Sequence, residues 1–578
     1  MSVPNRVGSV HVATTRRHYK GKVYEAHLLR RSYREKGKVK NQTLGNISHL
    51  PPDLIEIIRR RLAGERFLPS EELRIRRSLP HGHVLAVAQT IRQLGMAELL
   101  DRTRSRQRDL VLALICARVV EPRSKLATTR SWGESTLSSM FAVDDATVEE
   151  VYSALDWLRE RQPAIERKLA RRHLKAGATV LYDLSSSYVE GRHCPLAKIG
   201  YSRDRKKGTL QVEYGLLTDQ EGRPVAVEVV PGNTGDPATV ASQVERIKRR
   251  FHIERAILVG DRGMLTQARI DELRQEGGIE WISALRSPQI RALLDSGAIQ
   301  MGLFDQRWVV EVAHPDYPGE RLVFCRNPDL AEERRRKRED LLQATEARLQ
   351  PILEAVAQGR LQGAAQIGLR LGRVIDKHKV GKHFVIEIQD RSLKIHRDQP
   401  KIEAESRLDG IYVIRTSVSP EALATDQVVR TYKQLSRVER AFRTWKGLDI
   451  QVRPIRHWSA ERVQAHVLLC MLAYYVRWHL ERAWAPVLFR DEQPPVPDDP
   501  VASAQRSPDA LRKASSQRLE DGSPVHSFPT LLRSLATICR NQVVPRGLPE
   551  EAAFEVVTQP TAPQARALAL AGVQLTTR

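Results

Sequence analysis

Cysteine is scarce in this chain: Cys116, Cys194, Cys325, Cys470 and Cys539 are the only five in 578 residues, and none forms a CxxC pair. Neither a zinc ribbon nor a disulfide framework is therefore indicated, and a reducing cytoplasm fits best. There is no HExxH and no GxSxG, and the Gly-Lys pairs Gly21-Lys22, Gly37-Lys38 and Gly381-Lys382 are not followed by Ser or Thr. Zincin chemistry, nucleophile-elbow chemistry and an ATP-driven motor are set aside. Long apolar runs are missing too. The longest, VLLCMLAYYV at 467–476, has ten residues, half of the roughly 20 needed to span a bilayer. No apolar segment follows the N-terminus, so no secretory signal is expected.

Negative charge is also in short supply. Asp and Glu number 69 against 93 Lys and Arg, giving a net charge of +24 and a pI near 10.0. A chain that basic points to a polyanionic partner, with nucleic acid the leading candidate. The excess is uneven: residues 1–80 hold 18 Lys and Arg against 7 Asp and Glu. That region reads as a phosphate-tracking element at the front of the protein.

The length suggests roughly three or four domains. Residues 1–80 read as a basic hairpin, with Gly37 at a turn, followed by a helix that Asp53 could cap. Residues 81–175 look helical throughout, either as a DNA-binding bundle or as a scaffold. From 176 to 286 the pattern runs β-β-β-α-β-α-β, with the second and third strands joined at Asp219–Arg223. Three consecutive strands followed by α/β alternation is the order of an RNase H-like core. Residues 287–410 read as an inserted α+β subdomain. The core resumes at 411–485 with a strand, one helix running to Gly447 and a second apolar helix. Residues 486–578 read as a linker, rich in Pro and Ser over 486–528, and a tail.

Two aspartates stand where such a core does chemistry. Asp183 is expected at the end of the strand TVLYD, before a Ser-rich turn, and Asp261 at the end of AILVGD. Strand ends at a crossover edge are where ligands bind. The first and fourth strands of this order are neighbours, so the two carboxylates converge and need a cation between them. A third carboxylate, Glu439, lies in YKQLSRVERAFRTWK, with Tyr432 seven residues before it and Lys446 seven after. On one continuous helix all three project from nearly one face. His457 and His466 read as core or surface histidines.

The pattern Tyr432-x2-Leu435-x3-Glu439-x6-Lys446 resembles the YREK signature of the insertion-sequence-4 superfamily of DDE transposases, with Leu435 in place of the Arg. YDLSSSYVEG and GDRGM look like the family's two Asp regions, and the flanks GYSRDRKKGTLQVEYGLL and VEVVPGNTGD look familiar from the same proteins. The intervals are 78 residues from Asp183 to Asp261 and 178 from Asp261 to Glu439. The longer one is similar to the family's, where an insertion precedes the Glu. The resemblance covers roughly residues 10–485. It implies metal-dependent cleavage at transposon ends and strand transfer into target DNA, on two Mg²⁺ ions, with Mn²⁺ as a substitute, held by Asp183, Asp261 and Glu439. Tyr432 and Lys446 would contact the DNA backbone, and Arg437 or Arg443 would replace the missing Arg. Terminal inverted repeats and target DNA are the implied partners, a synaptic homodimer the implied assembly, and the bacterial nucleoid the implied location. Two rivals stay open: a nuclease or resolvase on the same fold, and a non-enzymatic DNA-binding descendant.

Overall fold

The computed structural model describes residues 9–35, 38–65, 73–297, 308–546 and 549–573. The chain forms two compact units, Met1–Ser78 with Arg540–Thr558, and Leu79–Cys539 with Gln559–Arg578.

The first unit opens with an antiparallel sheet of β1 (Val10–Tyr19), β2 (Lys22–Glu35) and β3 (Lys38–Asn46). The basic front is thus three-stranded. The turn expected at Gly37 lies outside the described residues. Lys20 and Gly21 join β1 to β2 with φ of 49° and 73°, the two positive values of a turn whose twist matches its strands. In the helix Pro52–Leu62, Pro51 takes the N-cap position and Asp53 lies in the first turn. The expected Asp53 cap is therefore wrong; proline at the first helical position loses no hydrogen bond there. β4 (Leu73–Pro80) closes this part of the unit.

In the second unit the helices Gly82–Gln93, Arg106–Val120 and Val148–His173 occupy the stretch read as helical. They pack with one another and with the helix Ala460–Ala483, which is buried along nearly its whole length from Val463 to Leu480. A helix apolar on all sides belongs in a core. The sheet beside it contains β5 (Ala178–Tyr188), β6 (Lys198–Ile199), β7 (Leu210–Asp219), β8 (Pro224–Pro231), β9 (Ala256–Gly260), β10 (Ile279–Ala284), β11 (Val309–Val312) and β12 (Arg321–Arg326). The segment Pro328–Ser406 adds helices and a two-stranded sheet, β13 (Phe384–Ile388) with β14 (Leu393–Arg397). β15 (Ile411–Thr416) then returns to the large sheet, whose order is β11-β12-β15-β10-β9-β5-β7-β6, with β8 also on β7. Both pairings of β9, with β5 and with β10, are parallel and the others antiparallel. The fold is mixed α/β.

Two expectations are corrected here. Within 287–410, read as an interruption, β11 and β12 extend the large sheet through β15; their Val323 and Phe324 are buried in it. Residues 486–578 are not a linker and tail. Val487, Leu488, Val501, Phe528, Leu531 and Leu535 are buried, and β16 (Cys539–Pro545) and β17 (Phe554–Val557) complete a sheet with β4. The Pro- and Ser-rich composition hid Val487, Leu488 and Val501, whereas Phe528, Leu531, Leu532 and Leu535 stand at helical spacing on the helix Phe528–Ala536. No helix among the described residues is long and apolar enough to cross a membrane.

Candidate active site

Asp183 lies inside β5, not at its end. The ladder continues through Ser185↔Tyr214, Ser186↔Glu213 and Ser187↔Val212 on β7. Two of the buried serines are paired: Ser187 shares a hydrogen bond with the Tyr214 hydroxyl at 2.9 Å, and Ser186 Oγ accepts the Arg203 N–H at 3.0 Å. A run that reads as a polar turn therefore serves as a central strand, because the hydroxyls of Ser186 and Ser187 find partners. In the parallel ladder Tyr182 pairs with Gly260, the last residue of β9. Asp183 follows within β5 and Asp261 follows directly after β9, and the charge of Asp261 is felt at Asp183.

Glu439 arrives on the helix Leu435–Lys446, which lies against β5. The expected single helix is two, Thr425–Lys433 and Leu435–Lys446, divided at Gln434. The buried face carries Val428, Val429, Leu435, Val438, Phe442 and Trp445. Tyr214 from β7 meets Phe442 and Trp445 with ring centroids at 5.8 and 5.9 Å. This aromatic anchor holds the helix on the sheet and leaves Glu439 on the exposed side. Tyr432, on the preceding helix, feels the charges of Asp261, Glu439 and Asp183; burial first and these carboxylates next push its hydroxyl well above the usual range.

Asp183 carries a perturbed carboxyl. Asp183 is half-buried, and its carboxyl is pushed up to about 7 by burial first, then by the charges of Asp261 and Glu439. Its hydrogen bond is from the Leu184 N–H at 2.8 Å. Among the described residues, no three such side chains close on one point as a formed metal site. The donors nonetheless fit a hard divalent cation: they are all carboxylate oxygens, and the inner one is destabilised as an anion.

Beside Asp183 and Glu439 a pocket of about 490 Å³ is lined by Arg203, Asp204, Arg443, Lys446 and Arg453. Lys446 and Arg443 line the pocket. Arg437 does not: its guanidinium bonds the Gln220 carbonyl and lies 3.7 Å from Glu221, at the turn joining β7 to β8. Position 437 is two residues from Glu439, about 200° around the helix.

Sequence reasoning missed the loop between β6 and β7. Asp204 has a fully buried side chain; it pairs with Lys446 at 2.9 Å and with Arg453, and accepts the Tyr188 N–H at 3.2 Å. Arg203 pairs with Asp236 at 2.7 Å and faces Glu213 at 3.5 Å. The available signal was one acid inside the basic run Arg203, Arg205, Lys206 and Lys207. Asp204→Asn keeps the shape and removes the charge that holds Lys446. A loss of about 2 kcal/mol is expected, the scale of a hydrogen bond to a charged group, read as a lower urea midpoint with unchanged slope; an unchanged midpoint would show the pairing to be idle.

Glu213 is buried, and burial pushes its carboxyl up to about 7. Its folded value exceeds the ordinary one near 4.5, so the fold favours the protonated form. That stability is complete below the ordinary value and is lost as pH rises through about 7. Glu213→Gln should therefore melt higher than the parent at pH 8 and alike near pH 5. Parallel melting curves at both pH values would rule this out.

The comparisons with known proteins bear on the same residues. A family model described as the transposase DDE domain matches residues 183–476. Its match begins at Asp183 and spans Asp261 and Glu439. A second, the N-terminal domain of IS1634 family transposases, matches residues 12–72. The insertion-sequence-4 assignment was finer than these matches support. No curated protein matches. Among solved structures, a piggyBac transposase synaptic complex with hairpin DNA is similar at 10% identity and a TM-score of 0.33, covering 79% of this chain and 76% of that one. The DDE model matches more than half of the sequence, and the chain belongs to the DDE transposases, enzymes that transpose DNA.

Proposed function

We propose that Asp183, Asp261 and Glu439 are the catalytic carboxylates and that the sheet carrying them is an RNase H-like core. The observation that carries this reading is that Asp183, in β5, feels the charges of Asp261, directly after the parallel neighbour β9, and of Glu439, on a helix anchored to the sheet by aromatic packing. Two Mg²⁺ ions, with Mn²⁺ as a substitute, would stabilise the attacking and leaving oxygens as Lewis acids. The chain's own part is to hold and orient. The three carboxylates would hold those ions beside the reacting phosphate. Lys446, Arg443 and Tyr432 position the strand being cut, with Lys446 leaving Asp204 for a DNA phosphate. In cleavage a water oxygen bonds to phosphorus as the bond to the 3′ oxygen breaks, and a proton ends on that 3′ oxygen. In joining, the freed 3′-OH attacks a target phosphate in the same in-line sense as the bond from that phosphorus to the target's 3′ oxygen breaks, and the proton ends on that oxygen, so one site serves both steps.

The basic first unit would grip terminal-repeat DNA, and two copies would act together in a synaptic homodimer. The test uses labelled DNA from the ends flanking the gene, with Mg²⁺. Cut ends joined to target DNA are expected. Hydrolysis without joining would favour a nuclease, and binding without cutting a non-enzymatic DNA-binding protein.

A further inference from the structure

The outer half of the β1–β2 hairpin has no core of its own. β3 pairs with β2 only from Leu28 to Glu35, and the helix Pro52–Leu62 reaches β1 at Thr14 through Arg59 at 3.1 Å. Beyond that, the five pairs from Thr15↔Ala26 to Tyr19↔Lys22 stand as a two-stranded ribbon. Every residue from Thr14 to Glu25 is exposed. A bare two-stranded ribbon is marginal in water, so a surface that orders it is expected.

Its two faces differ. Directly paired residues share a face. One face carries Arg16 opposite Glu25, closed into an ion pair at 2.5 Å, and His18 opposite Val23. The other carries Arg17 opposite Tyr24 and Tyr19 opposite Lys22. It has no acid, and among the described residues Arg17 and Lys22 make no ion pair. Tyr19 and Tyr24 are 57% and 55% exposed, two open rings beside the cations of this face. Lys20 extends the same charge at the tip, its ammonium 5.5 Å from the Tyr19 ring.

We propose that this ribbon enters the major groove of duplex DNA, with the face of Arg17, Tyr19, Lys22 and Tyr24 toward the DNA. A two-stranded ribbon fits that groove, about 12 Å wide. Arg17 and Lys22 neutralise phosphates, and the two rings lie against base edges and thymine methyl groups. The inference rests on the reading of the protein as a DNA transposase and adds which surface of the first unit meets the duplex.

The test is the affinity of the full chain for a fluorescent duplex from the DNA flanking the gene, at 50 and 200 mM salt. Each lost phosphate contact removes about 0.9 from the slope of log affinity against log salt. Arg17→Ala with Lys22→Ala should therefore shrink the loss of affinity between the two salts by about tenfold. Arg17→Lys with Lys22→Arg should keep the full slope. Arg16→Ala with Glu25→Ala, which removes the paired face, should keep it as well. Tyr19→Ala with Tyr24→Ala should weaken binding without altering the slope. A duplex whose cytosines carry glucosylated hydroxymethyl groups, filling the major groove, should weaken the parent more than this tyrosine variant. An unchanged slope for the Arg17 and Lys22 variant, an equal effect from the Arg16 and Glu25 variant, or equal affinity for the single strand would overturn the proposal. If the parent binds and cuts duplex while the Arg17 and Lys22 variant keeps its slope, the ribbon proposal alone fails; if the parent binds no duplex at either salt, the transposase reading fails with it.

Discussion

Asp183→Asn should lower cleavage of end DNA by at least about 10²-fold, or some 3 kcal/mol of barrier, the usual cost of losing one preorganised charge-stabilising group. The side chain keeps its size and can still accept the Leu184 N–H. What it loses is a negative charge in the place where the like charges of Asp261 and Glu439 already crowd it. That crowding is an advantage only with cations present, so metal affinity falls with the charge. Binding to end DNA should persist, because the cationic contacts lie on other residues, and one repulsive charge near phosphate is gone. Asp261→Asn and Glu439→Gln should repeat the pattern. The control needs an acid with no structural task. Asp219 is unsuitable: although it sits at the expected turn, it is buried and holds Arg223 at 2.6 Å and two backbone N–H groups. Glu333, exposed on the helix Pro328–Ala357, suits better. Cleavage and gel-shift measurements on the same preparations decide it. Near-normal cleavage by Asp183→Asn would remove that residue from the site.

Ending the chain at Ala485 should abolish folding of the second unit. The deletion takes away Val487, Leu488, Val501, Phe528, Leu531, Leu532, Leu535, Ile538 and Leu568, all buried. At about 1.5–3 kcal/mol for each large side chain, the loss matches or exceeds the roughly 5–15 kcal/mol by which a typical domain is stable. Trp484, fully buried, would also lose the Ala567 carbonyl that accepts its indole N–H at 2.8 Å. The expected product is insoluble or melts without a cooperative transition, and it neither cuts nor joins DNA. A soluble chain of 485 residues with a parent-like melting curve would show that the C-terminal segment is dispensable.

The family of this protein was legible in its sequence because its motifs are local. Asp183, Asp261, Glu439, Tyr432 and Lys446 each sit in a short run whose apolar neighbours announce a strand or a helix face, and a parallel strand order brings the two aspartates together without further information. Charge counting found the basic front.

Tertiary structure decided the rest. Ser185–Ser187 became strand because hydroxyls from Ser186 and Ser187 meet Arg203 and Tyr214, partners no local window contains. Asp204 became the counter-charge of Lys446 across 242 residues of sequence. Arg437 turned toward Glu221 because helix rotation, not proximity to Glu439, sets its direction. The Pro- and Ser-rich segment after Trp484 became core because burial depends on which surfaces remain uncovered once the sheet and helices have assembled. Pairing, rotation and coverage are properties of the assembled chain, and they arise only when distant segments share one interior.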